Sequence, residues 1–374
     1  MENTVLFGKR KRAVSWSYAK WPKDYGVWQY NDEQALAKQG IGGVVLTYTR
    51  LGNSDLSVSR ICMGCMGFGD AGSGQHSWTL DEEHSRKIIR EGLERGINFF
   101  DTAQYYETYP YLKEAFKELG HTVSPANKPV ICTKSLCLSY EEMEYAVEEA
   151  LREMNLDTID IFLLHEVRQD PDWETRSGAW QCLVDYRDSG VIKAIGVSTH
   201  HVDVVEKMTD IPECDVLFPL INFAGLGIRK VDGPGTCDEM AAAIKKNHDR
   251  GKGVFAMKAF GGGNLTGEYV KALDYVSSIE GIDSIMVGIG KREEVDRLVE
   301  YAEGTLPDYY VPDISKKRIQ IDPGDCEGCG KCIERCPNNA IYRNASGLAE
   351  VNHDICLTCG YCAPVCPVRA IIMW

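Results

Sequence analysis

No run of the 374 residues stays apolar for the roughly 18 positions that a helix needs to cross a bilayer. Basic charge is in short supply as well. Against 55 Asp and Glu stand 41 Lys and Arg, a formal net charge of −14, which disfavours a chain built to bind nucleic acid or an anionic membrane. An export signal is missing too. The opening Met1-Glu-Asn-Thr-Val-Leu-Phe puts no basic stretch ahead of an apolar one. Lys9-Arg10-Lys11-Arg12 runs into aromatic and charged residues rather than a hydrophobic run with a small-residue cleavage site, so the expected location is the cytoplasm. With 44% hydrophobic and 26% charged residues, the composition excludes a disordered or fibrous chain. What the sequence has in excess is cysteine. There are 15, seven spread over residues 1–325 and eight between Cys326 and Cys366.

Charge divides the chain into three expected parts. Residues 1–47 hold seven basic and four acidic side chains, and residues 313–374 hold seven of each. Residues 48–312 hold 27 basic against 44 acidic, so the acidity belongs to the centre. The first part sets its four consecutive basic residues ahead of Trp16, Trp21 and Trp28, which alternate with Tyr18, Tyr25 and Tyr30. Such interleaving occurs in single-strand nucleic-acid binders. The commoner use is an arm whose aromatics pack on a neighbouring surface, and no nucleic-acid partner is expected.

The cysteine pattern is specific. Cys326-x-x-Cys329-x-x-Cys332-x-x-x-Cys336-Pro337 returns 30 residues later as Cys356-x-x-Cys359-x-x-Cys362-x-x-x-Cys366-Pro367. Asn339-Ala340-Ile341 likewise returns as Arg369-Ala370-Ile371. Three closely spaced thiolates on one loop suit three irons of a cubane, and a fourth followed by proline points to a different one. The segment resembles a two-cluster [4Fe–4S] ferredoxin domain of the bacterial type. That resemblance implies one cluster on Cys326, Cys329, Cys332 and Cys366 and another on Cys336, Cys356, Cys359 and Cys362. A disulfide framework calls for an exported protein, and zinc gives no reason for the run to occur twice. The other seven cysteines form no such pattern. Cys62-x-x-Cys65 can be read as a redox pair, although cysteines beside an apolar strand are more often small core residues.

From about residue 60 the chain alternates apolar runs with helical patterns. Strands are expected at Ile61–Met63, Ile97–Phe100, Val130–Thr133, Ile159–Leu164, Ala194–Ser198, Val216–Ile221, Gly253–Lys258 and Ser284–Gly288. Eight strands with helices between them predict an α/β fold, a (β/α)8 TIM barrel, with the cysteine-rich segment as a small α+β domain at its C-terminal end. Thr79-x-x-Glu82, Ser139-x-x-Glu142 and Thr236-x-x-Glu239 are capping boxes that start helices after strands. A doubly wound open sheet is the rival, but the glycines of Gly64-Cys-Met-Gly-Phe-Gly do not lead directly into a helix.

In a barrel, functional groups sit at the C-terminal ends of the strands. Asp101, Lys134, His165 and Ser198-Thr199-His200 end successive strands, and Tyr105 and Tyr106 follow Asp101. Phe100-Asp101-Thr-Ala-Gln-Tyr-Tyr106, Thr133-Lys134-Ser135, Leu164-His165 and Ile195-Gly-Val-Ser198 resemble the aldo/keto reductase superfamily over residues 48–300. Tyr48-Thr-Arg-Leu-Gly-Asn-Ser-Asp-Leu-Ser-Val-Ser resembles that family's hairpin under the barrel floor. Met257-Lys-Ala-Phe-Gly-Gly-Gly-Asn-Leu and the cysteine tail are similar to its iron–sulfur branch. The resemblance implies carbonyl–alcohol interconversion on a small molecule. Tyr106 is the implied proton donor and acceptor, with Lys134 favouring its phenolate, Asp101 holding Lys134, and His165 polarising the substrate oxygen.

The resemblance also implies an NAD(P) pocket, here with departures. Ser198 is followed by Thr199 where the family has Asn, Phe218 replaces a Gln, and Met257, beside Lys258, replaces the stacking Tyr. Gly288, Glu294 and Leu298 stand where the family places Lys, Arg and Asn. Lys291 and Arg292 occupy the same loop, as substitute phosphate ligands or as solvated charges at a helix start. His200 and His201 are adjacent on a strand, point opposite ways and share no metal, with His201 starting a helix at Val202–Met208. Clusters pass single electrons and nicotinamides a pair, so a second class of function stands beside the first. In it the barrel no longer uses a nicotinamide hydride, and the clusters exchange electrons with a ferredoxin or flavoprotein partner. Substrate choice is expected from the loops Gly69–Trp78, Arg168–Arg176 and Ala224–Cys237.

Overall fold

The computed structural model describes residues 46–68, 82–119, 128–168, 170–313, 318–357 and 360–373. The basic and aromatic arm, the loop at 69–78, the cap at Thr79 and Cys359 lie outside them.

An antiparallel hairpin comes first, β1 (Tyr48–Arg50) against β2 (Ser57–Ser59). Its turn lies on the N-terminal ends of two barrel strands. The Asn53 N–H donates to the Gly251 carbonyl (2.7 Å), and the Gly52 N–H donates to Asp283 (3.2 Å). The chain then alternates: β3 (Ile61–Gly64), α1 (Glu82–Glu94), β4 (Phe99–Asp101), α2 (Tyr109–Leu119), β5 (Val130–Ser135), α3 (Tyr140–Met154) and β6 (Ile159–Leu164). It goes on through α4 (Asp170–Thr175), α5 (Ser177–Asp188), β7 (Ile192–Thr199), α6 (Val202–Met208) and β8 (Val216–Pro219). The loop after β8 carries a small hairpin, β9 (Arg229–Lys230) with β10 (Gly233–Pro234). Then come α7 (Cys237–His248), β11 (Gly253–Ala256), α8 (Tyr269–Ser277), β12 (Ser284–Gly288) and α9 (Arg292–Ala302).

Eight of these strands, β3–β8 with β11 and β12, close into a parallel barrel. All eight lie where the apolar runs placed them. The capping boxes at Ser139 and Thr236 form as expected, each side chain accepting from the N–H three residues on. The barrel interior is filled by side chains. Phe99 on β4 meets Phe255 on β11 at 4.8 Å between ring centroids, although those strands are not neighbours, and Phe255 stacks on Phe218 at 4.0 Å. Strand side chains alternate in direction, so Asp101 points the same way as Phe99 and reaches the C-terminal mouth. Cys62 and Cys65 are fully buried, and burial pushes both thiols well up, which suits packing rather than a redox pair.

The tail repeats itself structurally as it does in sequence. β13 (Ile319–Ile321) pairs with β16 (Ile371–Met373), and β14 (Ile341–Arg343) pairs with β15 (Ala349–Val351), while α10 spans Lys331–Arg335. Asn339 and Arg369, equivalent in the repeat, both take the left-handed backbone, at φ 52° and 55°. Ile319, Ile341, Val351, Val368, Ala370 and Ile371 form a small core with the cysteines. No helix among the described residues is long and apolar enough to cross a membrane.

Gly196 marks the tightest point of the barrel wall. It pairs with Val216 across β7 and β8, and a Cβ there would overlap the Val216 carbonyl oxygen. Gly196→Ala is expected to cost soluble yield or lower Tm by about 10 °C or more, measured by thermal melting.

Candidate functional site

Asp101, Tyr106, Lys134 and His165 converge at the C-terminal mouth of the barrel. Lys134 ends in a saturated contact. Its ammonium donates to both oxygens of Asp101, at 2.7 and 2.8 Å, and to the Thr102 carbonyl at 2.8 Å. An ammonium has three donors, and all three are used. Lys134 therefore faces Tyr106 through its charge alone, with Nζ 5.0 Å from the ring centroid. The pull of Tyr106 toward the phenolate, expected from Lys134, is not what this arrangement produces. Burial pushes the Tyr106 phenol well above its ordinary value, and the carboxylates of Asp101, Asp322 and Glu166 push it further. Tyr106 is held protonated. His165 packs edge-on to it at 5.8 Å, and burial, with Lys134 and Arg176 nearby, drives its pKa well down and keeps the ring neutral.

Arg176, fully buried, fixes the two strand ends. It donates to the carbonyls of His165 (2.7 Å), Ser135 (2.9 Å) and Cys137 (3.1 Å), which lie just beyond Lys134 and at the end of β6. Nothing in the residue pattern singled it out, because its partners are backbone groups.

The tail also reaches into the mouth. Asp322-Pro-Gly-Asp325, just ahead of Cys326, brings two buried carboxylates to the cavity that Tyr106, Lys134 and His165 line. Asp325 pairs with Lys258 and lies 3.5 Å from His200 Nδ1. Tyr105 donates to Asp322 at 3.5 Å and stacks on His165 at 5.1 Å. Glu166, Asp322 and Asp325 hold carboxylate oxygens within 4.8 Å of one another, with Arg168 beside Glu166 at 3.4 Å. Burial raises the Glu166 carboxyl to about 8, and Asp325 and Asp322 add to the rise. A Cβ at Gly324 would press on the Glu166 carboxylate and the Tyr105 hydroxyl and make both shift. Glu166 and Lys258 both take the left-handed backbone, at φ 53° and 57°, which turns their side chains toward the tail.

The family profile described as aldo/keto reductase matches residues 60–281, more than half of the chain. The chain belongs to the aldo/keto reductase family. A second profile, the 4Fe-4S dicluster domain, matches residues 319–373. Methylglyoxal reductase DkgA of Yersinia pestis is 26% identical over 133 residues, 36% of this chain and 46% of that protein. L-galactose dehydrogenase of Arabidopsis thaliana is 26% identical over 166 residues, 43% of this chain and 50% of its own length. The matches thus span about half of these curated relatives. An aldo-keto reductase from Bacillus halodurans, solved in its holo form, shares the fold with a TM-score of 0.54 and 17% identity, over 72% of this chain and 99% of its own.

As an aldo/keto reductase, the chain departs from its family at the nucleotide. The Ser198 hydroxyl accepts from the Glu166 N–H (2.9 Å), and the Thr199 hydroxyl donates to the Val167 carbonyl (2.5 Å) while accepting from the His201 N–H (3.0 Å). Met257 is buried, and Lys258 is held by Asp325. Lys291 sits at the N-cap position of α9 without capping it, and Arg292 pairs with Glu91 on α1 (2.5 Å). Glu294 accepts from the Gly290 N–H (2.7 Å), setting a carboxylate where a phosphate would need a donor. The cavity at Tyr106 measures about 70 Å3. These residues do not fit a nicotinamide dinucleotide in the family's pose. His201 starts α6 as expected, apart from His200.

The cysteines do fit iron–sulfur ligation. Burial raises the Cys332 thiol to about 11, and Cys366, Cys326 and Cys329 are near enough to add to the rise. Backbone N–H groups of Gly328 and Ala340 donate to the sulfurs of Cys326 and Cys336, at 3.4 and 3.2 Å, as thiolate ligands require. Cys336, Cys356 and Cys362 lie in or against the same small core.

Glu166, Asp322 and Asp325 escaped sequence reasoning. An acidic pair ahead of the first cluster cysteine was the only signal, and it carried no distance. Lys258→Met leaves Asp325 buried without its cation and is expected to weaken the tail's contact with the barrel by about 3–5 kcal/mol. Hydrogen exchange across residues 319–326 reads this directly. A carboxyl raised from 4.5 to about 8 stabilises the contact fully below pH 4.5, and that contribution is lost as pH rises toward 8. Protection in this segment, corrected for the intrinsic pH dependence of amide exchange, is therefore expected to fall between about pH 4.5 and 8, and Glu166→Gln to flatten the trend.

Proposed function

We propose that this protein is an oxidoreductase that interconverts a carbonyl and an alcohol on a small molecule. The observation that carries the reading is the convergence, on one cavity, of a protonated Tyr106, a neutral His165 and the Asp101–Lys134 pair. A carbonyl oxygen in that cavity meets a phenol that can give it a proton and an imidazole that can hold it. Lys134, fixed by Asp101 and Thr102, contributes a positive charge that steadies the oxygen as negative charge grows there. The room at Tyr106 suits a small substrate. In the C-terminal part, Cys326, Cys329, Cys332 and Cys366 hold one [4Fe–4S] cluster, and Cys336, Cys356, Cys359 and Cys362 hold a second. Such clusters supply one-electron transfer when bound.

A second reading has its own support. The Asp322–Asp325 segment stands at the cavity, and the Thr199 hydroxyl is already engaged as donor and acceptor. This favours a barrel that no longer uses a nicotinamide hydride and a chain that exchanges electrons with a ferredoxin or flavoprotein.

A panel of small aldehydes and ketones, assayed anaerobically with NADH, NADPH or reduced methyl viologen, separates the two. Alcohol formation with any donor, falling by about 10²-fold or more in Tyr106→Phe, supports the first reading. Turnover with viologen but neither nicotinamide adds the second. No alcohol with any donor sinks the carbonyl reading.

A further inference from the structure

A second cavity of about 680 Å3 lies along the seam between the loop after β8 and the tail. It shares Arg168, His201 and Arg229 with the cavity at Tyr106, and it reaches Cys366. It therefore borders both a cluster cysteine and the chamber lined by Tyr106, Lys134 and His165. Its volume falls within the roughly 300–1,000 Å3 of pockets that hold cofactors.

Its lining asks for a polar ligand. His201 is 6% exposed, and neither ring nitrogen has a hydrogen-bond partner among the described residues. Burial lowers its pKa to about 4, so at neutral pH the ring offers one N–H and one lone pair, both costly to leave unmet. Positive charge collects around it. Arg229 and Lys230 stand on the barrel side, each paired with a carboxylate, Glu327 (2.7 Å) and Glu239 (2.6 Å), and Arg168 and Arg369 complete a lining in which Glu327 is the one acidic residue. Lys331 on the tail side is exposed and meets no acceptor among the described residues. Gly233 leaves open space where a side chain would project.

We propose that this seam binds a phosphorylated flavin, of which flavin mononucleotide is the simplest, with His201 meeting a polar edge and the lysines and Arg229 drawing the phosphate. Carbonyl reduction takes two electrons together, whereas iron–sulfur clusters pass them singly, and flavins accept either. A flavin there takes two electrons, one at a time, from a ferredoxin-class donor, with two protons from solvent, and holds them as a pair. The purpose of the site rests on the proposed carbonyl chemistry, but the binding does not, so a failed carbonyl screen and a failed titration are distinct results.

The test is a titration of anaerobic holoprotein with flavin mononucleotide, followed by flavin fluorescence. Saturable quenching with a micromolar Kd is expected, with riboflavin, which lacks the phosphate, binding about tenfold more weakly or worse. Lys331→Glu and Lys230→Glu, both at the surface, should each weaken flavin mononucleotide by about tenfold and leave riboflavin unchanged. His201→Leu should weaken both. Cluster absorbance checks that each variant is intact, and Lys230 lies away from the cysteines. Quenching that never saturates, or lysine variants that bind like the parent, overturns the proposal. So does displacement of the flavin by equimolar NADPH, which would make a nicotinamide dinucleotide the occupant.

Discussion

The buried pair of Lys258 and Asp325 ties together the two halves of this molecule's chemistry. Lys258 follows β11 of the barrel, and Asp325 directly precedes the first cluster cysteine. Two opposite charges, Asp325 buried and Lys258 largely so, are costly to separate, because Asp325 alone is left with little water and without its main partner. Burial alone would lower the Lys258 pKa, yet Asp325 and Asp322 hold it above the ordinary value. The pair thus pins the start of the tail at the mouth, and Asp322, Gly324 and Glu166 fall into place around it. The shape of the cavity at Tyr106 and the seam toward Cys366 both follow from where that segment is held.

The same contact alters the four residues that resemble the family's catalytic set. In an open mouth, water would screen the carboxylates and ease the ionisation of a phenol. Here Asp322 and Glu166 stand in the wall, and with Asp101 they add to the burial that keeps Tyr106 protonated. Lys134 cannot counter this through a hydrogen bond, since Asp101 and Thr102 occupy its donors. The result is a protonated phenol rather than a poised phenolate.

Much of this was legible beforehand. Strand positions were readable because a buried parallel strand writes an unbroken apolar run, and the capping boxes at Ser139 and Thr236 because caps are local. The likeness of the cysteine run to ferredoxins was readable because cluster ligation is written in spacing. Lys258 was readable only as a residue beside a nucleotide pocket, and Lys291 and Arg292 as possible phosphate ligands. Their actual partners, Asp325 for Lys258 and Glu91 for Arg292, lie 67 and 201 positions away. Arg176 had no signature at all, because backbone carbonyls carry no residue identity.

The sequence by itself therefore determined the barrel, the ferredoxin-like tail and the residue types at the strand ends, each an outcome of short-range pattern. Only the tertiary structure decided that the tail's Asp322 and Asp325 enter the barrel mouth, that Tyr106 stays protonated, and that a cavity runs from His201 to Cys366. Those outcomes depend on burial and on distances between groups far apart in the chain. Charge interactions take their strength from burial and distance, and neither is written in the order of residues.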